Sequence, residues 1–576
     1  MRLMLKYLKR YPKLILLNIL GIFSFVAVQL GIPTVMAWMI DNGIGNSDIP
    51  YIQKMGGIML IICVLGGAGT ILITYASSRI STNMIRDIRN DVFIQSQKLS
   101  HTEYNKFGVS SMITRTTNDA FQLMLFSNML FRIALLTPVM IIISVIMTIK
   151  TSVSLSLVIG GSFPFIIAGV IIIAKLTNPL SEKQQKGMDH LNRISRENLT
   201  GVRVIRAFRK SEYEAERFAE TNDNYATNSK KLYKIMSFTQ PAFFFLLHLA
   251  MMAVFWISSV MIDKGTLQVG QLVAFLEYQF HAMFSIMLFS MVFVMYPRAQ
   301  VSANRIQALL DEEPLVNNPA SGVTETDNKG KVEFDHVTFQ YPDGELPIIK
   351  DVSFTANKGE TVAFIGSTGS GKSTLINLIP RFYDVTSGSI KIDDVDTRDY
   401  DLKALRKKIG FIPQKAFLFK GTIEDNLKFG NPNATPEEIN HAIEVAQAKE
   451  FIENKPDKLQ EYISEGAKNV SGGQKQRISI ARALVRKPEI YIFDDSFSAL
   501  DYKTDATLRA ALKEETKESI VFIVAQRIST IMNADKIIVL NEGEVVGMGT
   551  HKELLKTCKI YYEIADSQLT KEELER

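Results

Sequence analysis

The sequence has few cysteines and an average hydrophobicity close to neutral. Cys63 and Cys558 are the only two cysteines in 576 residues, so a disulfide framework is not expected. The mean hydropathy is +0.08, and 47% of the residues are hydrophobic and 22% charged. This balance excludes disordered and collagen-like chains. The formal net charge of +5 is small, so its distribution along the chain is more informative than its sum.

The average hydropathy conceals long uncharged stretches in the first half of the chain. A bilayer-spanning helix needs about 20 consecutive apolar residues. Six stretches meet or exceed this length, at roughly 14–40, 56–76, 128–149, 152–174, 238–262 and 270–296. The first stretch is too long for a signal peptide and has no small-residue cleavage site at its end. We therefore predict six membrane-spanning helices, the first of which stays in place as an anchor.

The segments between these stretches differ in their content of Lys and Arg. The N-terminal segment and the long loops 77–127 and 175–237 are basic. The short loops hold only Lys54, Lys150 and Lys264. Under the positive-inside rule, both termini and the two long loops are expected in the cytoplasm. This topology accounts for the basic residues without nucleic-acid binding.

The two long loops are themselves predicted to be helical. In the first loop, Met84, Ile88 and Val92 recur with the spacing of one helix face. Each loop is therefore expected to be a helical hairpin that continues beyond the bilayer, with a turn near 107–108 or 201–208. These turns are expected to contact the soluble part of the chain.

A phosphate-binding motif follows a predicted strand at 361–365 in the second half of the chain. It reads Gly366-Ser367-Thr368-Gly369-Ser370-Gly371-Lys372-Ser373, and an apolar helix starts at Thr374. This is the strand–loop–helix context that a P-loop requires. The glycines allow backbone N–H groups to surround phosphate oxygens at a helix N-terminus. Lys372 is expected to reach the β- and γ-phosphates, and Ser373 to ligate Mg²⁺.

Two further motifs follow the P-loop, one suited to Mg²⁺ and one that indicates a second phosphate site. The predicted strand 490–493 ends in Asp494, and a carboxylate at that strand end can hold the Mg²⁺ shell, as in the Walker B element. A separate segment opens a helix and offers hydroxyl and backbone donors to a phosphate; it reads Ser471-Gly472-Gly473-Gln474. Since the chain already has a P-loop, a second cradle implies a second nucleotide. This points to a dimer that sandwiches ATP between the P-loop of one subunit and the Ser-Gly-Gly-Gln segment of the other.

Taken in order, these motifs resemble those of ABC exporters in which six spans are fused to one nucleotide-binding domain. The resemblance covers nearly the whole chain. It implies that Tyr341 stacks on adenine, and that Gln414 senses Mg²⁺ and contacts the membrane domain. It also implies that Glu465 belongs to the X-loop and that 498–501 form the D-loop. The two hairpin turns resemble coupling helices.

The resemblance also implies a fold class and a domain division. The membrane domain is expected to consist of six long transmembrane helices over 1–310. A linker is expected over 311–330. A cytoplasmic α/β P-loop ATPase domain with a helical subdomain is expected over 331–576. ATP and Mg²⁺ are the implied cofactors.

The sequence departs from the family pattern at two positions that serve hydrolysis. The catalytic base of the family is a Glu, and this chain has Asp495; the switch His is replaced by Gln526. Asp is shorter than Glu by one methylene, about 1.5 Å, and a misplacement of roughly 1 Å can cost about 100-fold in rate. Gln526 can hydrogen-bond to the γ-phosphate, but it cannot carry a proton. Neutral drift within an active site is the alternative interpretation.

This asymmetry resembles one subunit of a heterodimeric bacterial exporter. We hypothesise that the P-loop of this chain forms a slow, degenerate ATP site. Its Ser471–Gln474 segment would complete a fast site on a partner that supplies the P-loop, the Glu and the His. The signature segment of that partner is expected to be altered.

Candidate substrate-pathway residues lie in the last two predicted spans. Met283, Met287 and Met291 recur at i, i+4 spacing, and flexible methionine surfaces suit varied apolar ligands. Ionisable groups inside a membrane are functional candidates, here Glu277, His281 and His248. Lipid-facing or helix-packing roles are the alternative for each methionine. For Glu277 and His281, the alternatives are a structural Glu–His pair or a position near the membrane edge.

The sequence therefore predicts ATP-driven export of hydrophobic or cationic drug-like compounds by a heterodimer in the bacterial cell membrane. Hydrophobic small molecules, membrane lipids and a second half-transporter are the expected partners. A lipid or peptide exporter is one alternative. A nucleotide-gated regulatory subunit with little hydrolysis of its own is another. The six spans exclude a soluble chromosome or repair ATPase.

Overall fold

The computed structural model describes residues 1–326, 330–570 and 574. The chain forms two compact units, one made of Met1–Gln97 and Ser110–Asp311, the other of Lys98–Val109 and Glu312–Arg576. The predicted linker 311–330 includes 327–329, and the predicted domain 331–576 includes 571–573 and 575–576. These eight positions lie outside the described residues.

The membrane unit consists of helices joined by short turns. The helices up to residue 310 are α1 (Arg2–Leu8), α2 (Pro12–Trp38), α3 (Ile49–Lys98), α4 (His101–Phe107), α5 (Val109–Thr114), α6 (Ala120–Met129), α7 (Leu136–Thr151), α8 (Val153–Ala207), α9 (Ser211–Asp263) and α10 (Val269–Leu310). Of these, the short helix α4 belongs to the other unit. Short π-helical segments at Met39–Ile44, Arg115–Asp119 and Leu130–Ala134 continue or connect several of them.

The six predicted spans are confirmed. In the described part of the chain, six helical segments are long and apolar enough to cross a membrane: Pro12–Ile44, Ile49–Lys98, Val109–Thr151, Val153–Ala207, Ser211–Asp263 and Val269–Leu310. At 1.5 Å per residue, the 55 residues of α8 extend about 80 Å, which far exceeds a hydrocarbon core of about 30 Å. The long helices therefore continue well beyond the bilayer, and α8 and α9 turn into one another at 208–210.

Small residues allow α2 and α3 to pack closely. A Cβ atom at Gly66 would lie 2.4 Å from Cγ2 of Val28, and one at Gly69 would lie 2.7 Å from Oγ of Ser24. That hydroxyl donates a hydrogen bond to the carbonyl oxygen of Leu65 at 2.9 Å. Close backbone approach and interhelical hydrogen bonds are the means by which helices associate in lipid.

Replacing Gly66 with Ala should destabilise the membrane unit. The new methyl group overlaps the Val28 side chain, and overpacking of this kind costs about 1–3 kcal/mol. The apparent Tm of the detergent-solubilised protein should fall by about 3 °C or more. Gly67→Ala is the matched control, because a Cβ atom there has nothing within 4 Å. An equal Tm for the two variants would contradict this account of the packing.

An aspartate fixes the start of α10, the helix that carries Glu277 and His281. The backbone N–H of Gly270 donates to Oδ1 of Asp41 at 2.6 Å, and a negative charge is favourable at a helix N-terminus. A Cβ atom at Gly270 would lie 2.3 Å from the carbonyl oxygen of Ala37. The glycine therefore permits the approach that the carboxylate stabilises.

Three β-sheets form the framework of the second unit, in the residues that the structure describes. Its strands are β1 (Lys331–Phe339), β2 (Ile349–Asn357), β3 (Thr361–Gly366), β4 (Ser387–Ile392), β5 (Val395–Asp396), β6 (Ile409–Ile412), β7 (Gly421–Thr422), β8 (Tyr462–Ile463), β9 (Ile490–Asp494), β10 (Ile520–Val524), β11 (Lys536–Asn541) and β12 (Glu544–Gly549). The strand orders are β2-β1-β4-β5, β12-β11-β3-β10-β9-β6 and β7-β8.

Helices accompany these sheets and include a mainly helical segment between β6 and β9. They are α11 (Lys372–Leu378), α12 (Leu402–Lys407), α13 (Ile423–Lys428), α14 (Pro436–Val445), α15 (Lys449–Glu453), α16 (Gly472–Val485), α17 (Tyr502–Glu515), α18 (Ile528–Ile531), α19 (His551–Thr557) and α20 (Lys559–Asp566), with 3₁₀ turns at Lys458–Gln460 and Glu465–Ala467. The predicted α/β ATPase domain with a helical part is confirmed.

The six-stranded sheet brings the nucleotide motifs to one edge. Strands β3, β10, β9 and β6 are parallel neighbours, and Val524 is in register with both Phe364 and Asp494. The carboxyl ends of parallel strands meet at the same edge of a sheet, where ligands bind in open α/β folds. The loops that follow these four strands therefore converge.

Candidate nucleotide-binding site

The loop between β3 and α11 has the backbone of a phosphate cradle. Gly366, Gly369 and Gly371 have φ values of +154°, +87° and +97°. Residues other than glycine rarely adopt these backbone conformations. A Cβ atom at Gly366 would lie 2.0 Å from the carbonyl oxygen of Leu540. The backbone of this loop therefore depends on glycine, as the phosphate-binding loop of a P-loop does.

Lys372 folds back onto this loop. Its Nζ donates to the carbonyl oxygens of Gly366 at 2.9 Å and Ser367 at 2.7 Å, and to Oγ of Ser370 at 3.3 Å. Burial lowers the pKa of Lys372, and the charges of Asp495 and Asp494 oppose this shift. The ammonium group therefore lies at the centre of the cradle, where phosphate oxygens would replace the carbonyl partners.

The serine and the first aspartate of the predicted magnesium site are in direct contact. Oγ of Ser373 donates to Oδ1 of Asp494 at 2.8 Å. Burial raises the pKa of Asp494, and the hydrogen bond from Ser373 opposes this shift. A hydroxyl and a carboxylate oxygen are hard donors of the kind that Mg²⁺ prefers, so the pair fits a Mg²⁺–nucleotide complex.

The two positions that depart from the family pattern meet in space. Oδ2 of Asp495 accepts hydrogen bonds from Nε2 of Gln526 at 3.0 Å and from Nε2 of Gln414 at 3.1 Å. Asp495 is buried, and its backbone has a φ of +45°, in the left-handed region. Two amide groups therefore hold one oxygen of the carboxylate at the predicted catalytic position.

A C-terminal glutamine fixes the loop that carries Gln526. Nε2 of Gln568 donates to the carbonyl oxygen of Gln526 at 2.9 Å. Oε1 of Gln568 accepts from the backbone N–H of Ile528 at 2.8 Å. One carboxamide thus clamps two backbone groups that flank Arg527, and a chain of hydrogen bonds runs from the C-terminal segment to Asp495.

Replacing Gln568 with Ala should loosen this loop. One hydrogen bond contributes on the order of 1 kcal/mol, so the amide of Ile528 should exchange with solvent about fivefold faster. Hydrogen exchange of a peptide covering 522–532 measures the change. Ser567→Ala is the neighbouring control, because its hydroxyl bonds only to Ile564 within the same turn among the described contacts. Unchanged exchange in Gln568→Ala would show that the clamp does not hold the loop.

Tyr341 lies beside the P-loop helix within an aromatic group. Its hydroxyl is 3.1 Å from Oγ1 of Thr374, and its ring meets Tyr383 edge to face at 5.2 Å. Tyr383 is in turn 6.0 Å from the ring of His101 in α4. Burial lowers the pKa of His101, as does the nearby Arg406 charge. The first hairpin turn thus packs in the same unit as the predicted adenine contact.

The Ser-Gly-Gly-Gln segment lies at the start of α16. Oγ of Ser471 accepts from the backbone N–H of Gln474 at 3.3 Å, and Oε1 of Gln474 accepts from the backbone N–H of Ser471 at 3.1 Å. This capping box satisfies the helix start. Among the described residues, no hydrogen bond links Ser471, Gly472, Gly473 or Gln474 to the P-loop, and Ser471 and Gly472 are exposed.

Comparison with known proteins decides the family. The model of the ABC transporter transmembrane region matches residues 14–287, and the ABC transporter model matches 349–498. An uncharacterised ABC transporter ATP-binding protein of Mycobacterium tuberculosis is 36% identical over 575 residues, which cover 98% of this chain and 97% of that protein. This chain belongs to the ABC transporter family. It is a half-transporter, in which a membrane domain is fused to an ATPase domain.

Other relatives of this half-transporter match it over nearly their full length. The ABC transporter ATP-binding protein YfiB of Bacillus subtilis is 35% identical, covering 99% of this chain and 98% of YfiB. A Staphylococcus aureus protein named "Putative multidrug export ATP-binding/permease protein" is 33% identical, covering 96% of both chains. The solved structure of a bacterial Atm1-family ABC exporter with ATP bound has the same fold, with a TM-score of 0.81 at 23% identity over 97% of this chain and 98% of that one. The chain is therefore an ATP-hydrolysing ABC exporter with several membrane spans.

The predicted pathway residues of this half-transporter divide between core and surface. Met283 is fully buried and packs with Ile166 and Leu247, so it belongs to the helix packing here. Met287 is half-buried, and Met291 is 51% exposed. The structure therefore separates the three methionines that share one spacing in the sequence.

The ionisable pathway candidates are close to aromatic rings. Glu277 is exposed and His281 is half-buried, and among the described contacts no hydrogen bond or ion pair joins them. The ring of His281 meets Phe280 at 5.6 Å, and that of His248 stacks on Phe244 at 6.3 Å. Phe280 stacks on Phe284 at 5.5 Å.

Sequence reasoning missed two parts of the nucleotide site. Gln568 lies in no motif, and its clamp depends on the docking of α20, so no local signal marks it. Tyr383 is equally unmarked, although an aromatic residue shortly after a P-loop helix is a reasonable candidate for packing beside a nucleotide. The contact between Asp495 and Gln526 was foreseen only as two separate departures from the family pattern.

Proposed function

We propose that this half-transporter exports hydrophobic or cationic compounds as one half of a heterodimer in which its own P-loop forms the slow ATP site. The observation that carries the proposal is the placement of Asp495 between Gln414 and Gln526. ATP is held by the P-loop, Lys372 and Tyr341. Ser373, Asp494 and Gln414 would hold Mg²⁺, which would supply positive charge to the phosphates.

The geometry around Asp495 supports slow hydrolysis. A general base must reach the attacking water with a free oxygen. One oxygen of Asp495 already accepts two amide hydrogens, and the side chain is about 1.5 Å shorter than that of Glu. Gln526 carries no charge that could stabilise the γ-phosphate in the transition state. The groups that bind ATP and Mg²⁺ are retained. The two groups that would promote attack of water on the γ-phosphate, at positions 495 and 526, are weakened.

The exposed signature segment supports a partner with a complete site. Ser471 and Gly472 are exposed at the start of a well-capped helix. A helix start of this kind presents backbone donors to a phosphate. We assign this surface to the ATP on the P-loop of a second half-transporter, which supplies the catalytic Glu and the switch His.

The relatives and the charge pattern support the location and substrate class. All the relatives named above are bacterial, and one carries multidrug export in its name. The basic long loops favour a chain that is embedded in the bacterial cell membrane and has its ATPase domain in the cytoplasm. Glu277 lies on α10 near the stacked pair Phe280 and Phe284, a combination of charge and aromatic surface that suits apolar cations.

Transport in inverted membrane vesicles tests the function. With the co-expressed partner, ATP should drive uptake of cationic dyes, and Glu277→Gln should lower it about tenfold or more while leaving ATP binding unchanged. Uptake of an uncharged dye by the same variant is the control. Equal uptake of the cationic dye by parent and variant would remove Glu277 from the pathway. ATP binding without any uptake would favour the regulatory subunit instead.

A further inference from the structure

The short helix α1 is fixed to the membrane unit by one face. Leu3, Met4, Tyr7 and Leu8 are buried. The hydroxyl of Tyr7 donates to Oδ2 of Asp91 at 2.6 Å. Just beyond the helix, the hydroxyl of Tyr11 donates to Oδ2 of Asp87 at 2.6 Å. Both carboxylates lie on α3, so the orientation of α1 is set by protein contacts.

The opposite face of α1 is basic. Residues 1–13 contain five Lys or Arg and no Asp or Glu. All five are exposed: Arg2, Lys6, Lys9, Arg10 and Lys13. Arg10 is paired with Asp87 and Asp91, and the other four form no ion pair or hydrogen bond among the described contacts. Leu5 is 61% exposed between these cations.

The basic segment directly precedes the first membrane span. The first apolar run begins at residue 14, directly after the basic segment. The backbone nitrogen of Met1 donates to Oε1 of Gln300 at 3.1 Å. Gln300 lies on α10 just beyond the apolar run 270–296, so protein contacts hold both ends of α1 beside the first span.

We propose that the basic face of α1 is a binding site for anionic phospholipid headgroups. Cations clustered next to a membrane span attract acidic lipids, and an exposed leucine among them enters the acyl boundary. The positive-inside rule requires only that basic residues be present on one side of the membrane. It does not require that Arg2, Lys6 and Lys9, which are unpaired among the described contacts, lie on the exposed side of a helix and its C-cap whose other side is fixed to the protein.

Lipid retention by the purified full-length chain tests this site. Native mass spectrometry would count phosphatidylglycerol and phosphatidylcholine carried from mixed vesicles. Each cation near a charged bilayer strengthens association about fivefold. The variant Arg2→Gln/Lys6→Gln/Lys9→Gln should therefore bind phosphatidylglycerol about 100-fold more weakly, with unchanged retention of phosphatidylcholine. Because lipid binding is measured directly, the result does not depend on the proposed transport function.

Two further variants separate the proposed site from a general charge effect. Lys183→Gln/Lys230→Gln/Lys231→Gln removes three exposed cations that lie about 10 Å or more beyond the apolar runs; it should bind phosphatidylglycerol as the parent does. The charge-conserving variant Arg2→Lys/Lys6→Arg/Lys9→Arg should also bind normally. Equal losses of phosphatidylglycerol binding in the triple variants that begin with Arg2→Gln and with Lys183→Gln would overturn the proposal. Displacement of the lipid by inorganic phosphate would also overturn it, because the site would then bind free phosphate.

Discussion

Replacing Asp495 with Glu and Gln526 with His in this chain should raise ATP hydrolysis at its own site by about 100-fold. The longer carboxylate regains the reach that a base needs, and a misplacement of roughly 1 Å accounts for about this factor. The imidazole also restores a group that can carry a proton. Steady-state ATPase activity of the purified homodimer measures the gain, because every site in that assembly is this chain's own.

The control for this gain is Lys372→Ala in the same double variant. Its ammonium lies in the phosphate cradle, so its removal should abolish the added activity. A double variant as slow as the parent would mean that Asp495 and Gln526 do not limit hydrolysis. A parent homodimer with robust ATPase activity would contradict the premise of a slow site.

Replacing Ser471 with Ala should lower the ATPase activity of the heterodimer by roughly 10- to 100-fold. The hydroxyl is assigned to the γ-phosphate of the nucleotide on the partner's P-loop, and a hydrogen bond to a charged group contributes about 1.5–3 kcal/mol. ATP affinity at this chain's own P-loop should stay unchanged. Binding of a fluorescent ATP analogue to the isolated chain measures that affinity.

Thr435→Ala is the matched control for this substitution. Ser471 and Thr435 each form a capping box at the start of a helix in the same unit, so each change costs about 1 kcal/mol of helix capping. Only Ser471→Ala should slow the heterodimer. Equal ATPase losses in both variants would mean that Ser471 acts only by capping and stabilising its helix.

Much of the fold follows from local patterns in the sequence. Each apolar run is long enough to specify a spanning helix without tertiary information, and all six are observed. The P-loop is equally local, because Gly366, Gly371 and Lys372 act through a turn of a few residues. The convergence of Asp494 with Ser373 follows once the strands are parallel neighbours, since their carboxyl ends share an edge.

Contacts between distant segments could not be read from the sequence. Gln568 reaches the loop after β10 because α20 docks on the core, and that docking depends on the whole domain. The spacing of Met283, Met287 and Met291 describes one helix but not its neighbours. Met283 is buried because α8 and α9 cover it. Which side of a membrane helix is covered is decided by packing, since every side is apolar.

The location of ATP turnover in the co-purified heterodimer tests the central claim most directly. Vanadate trapping with a photo-crosslinking ATP analogue would label whichever chain has completed hydrolysis. We predict trapped ADP on the P-loop of the partner and intact ATP on the P-loop of this chain, which includes Lys372. Equal trapping of ADP on both chains would contradict the assignment of a slow site to this half-transporter.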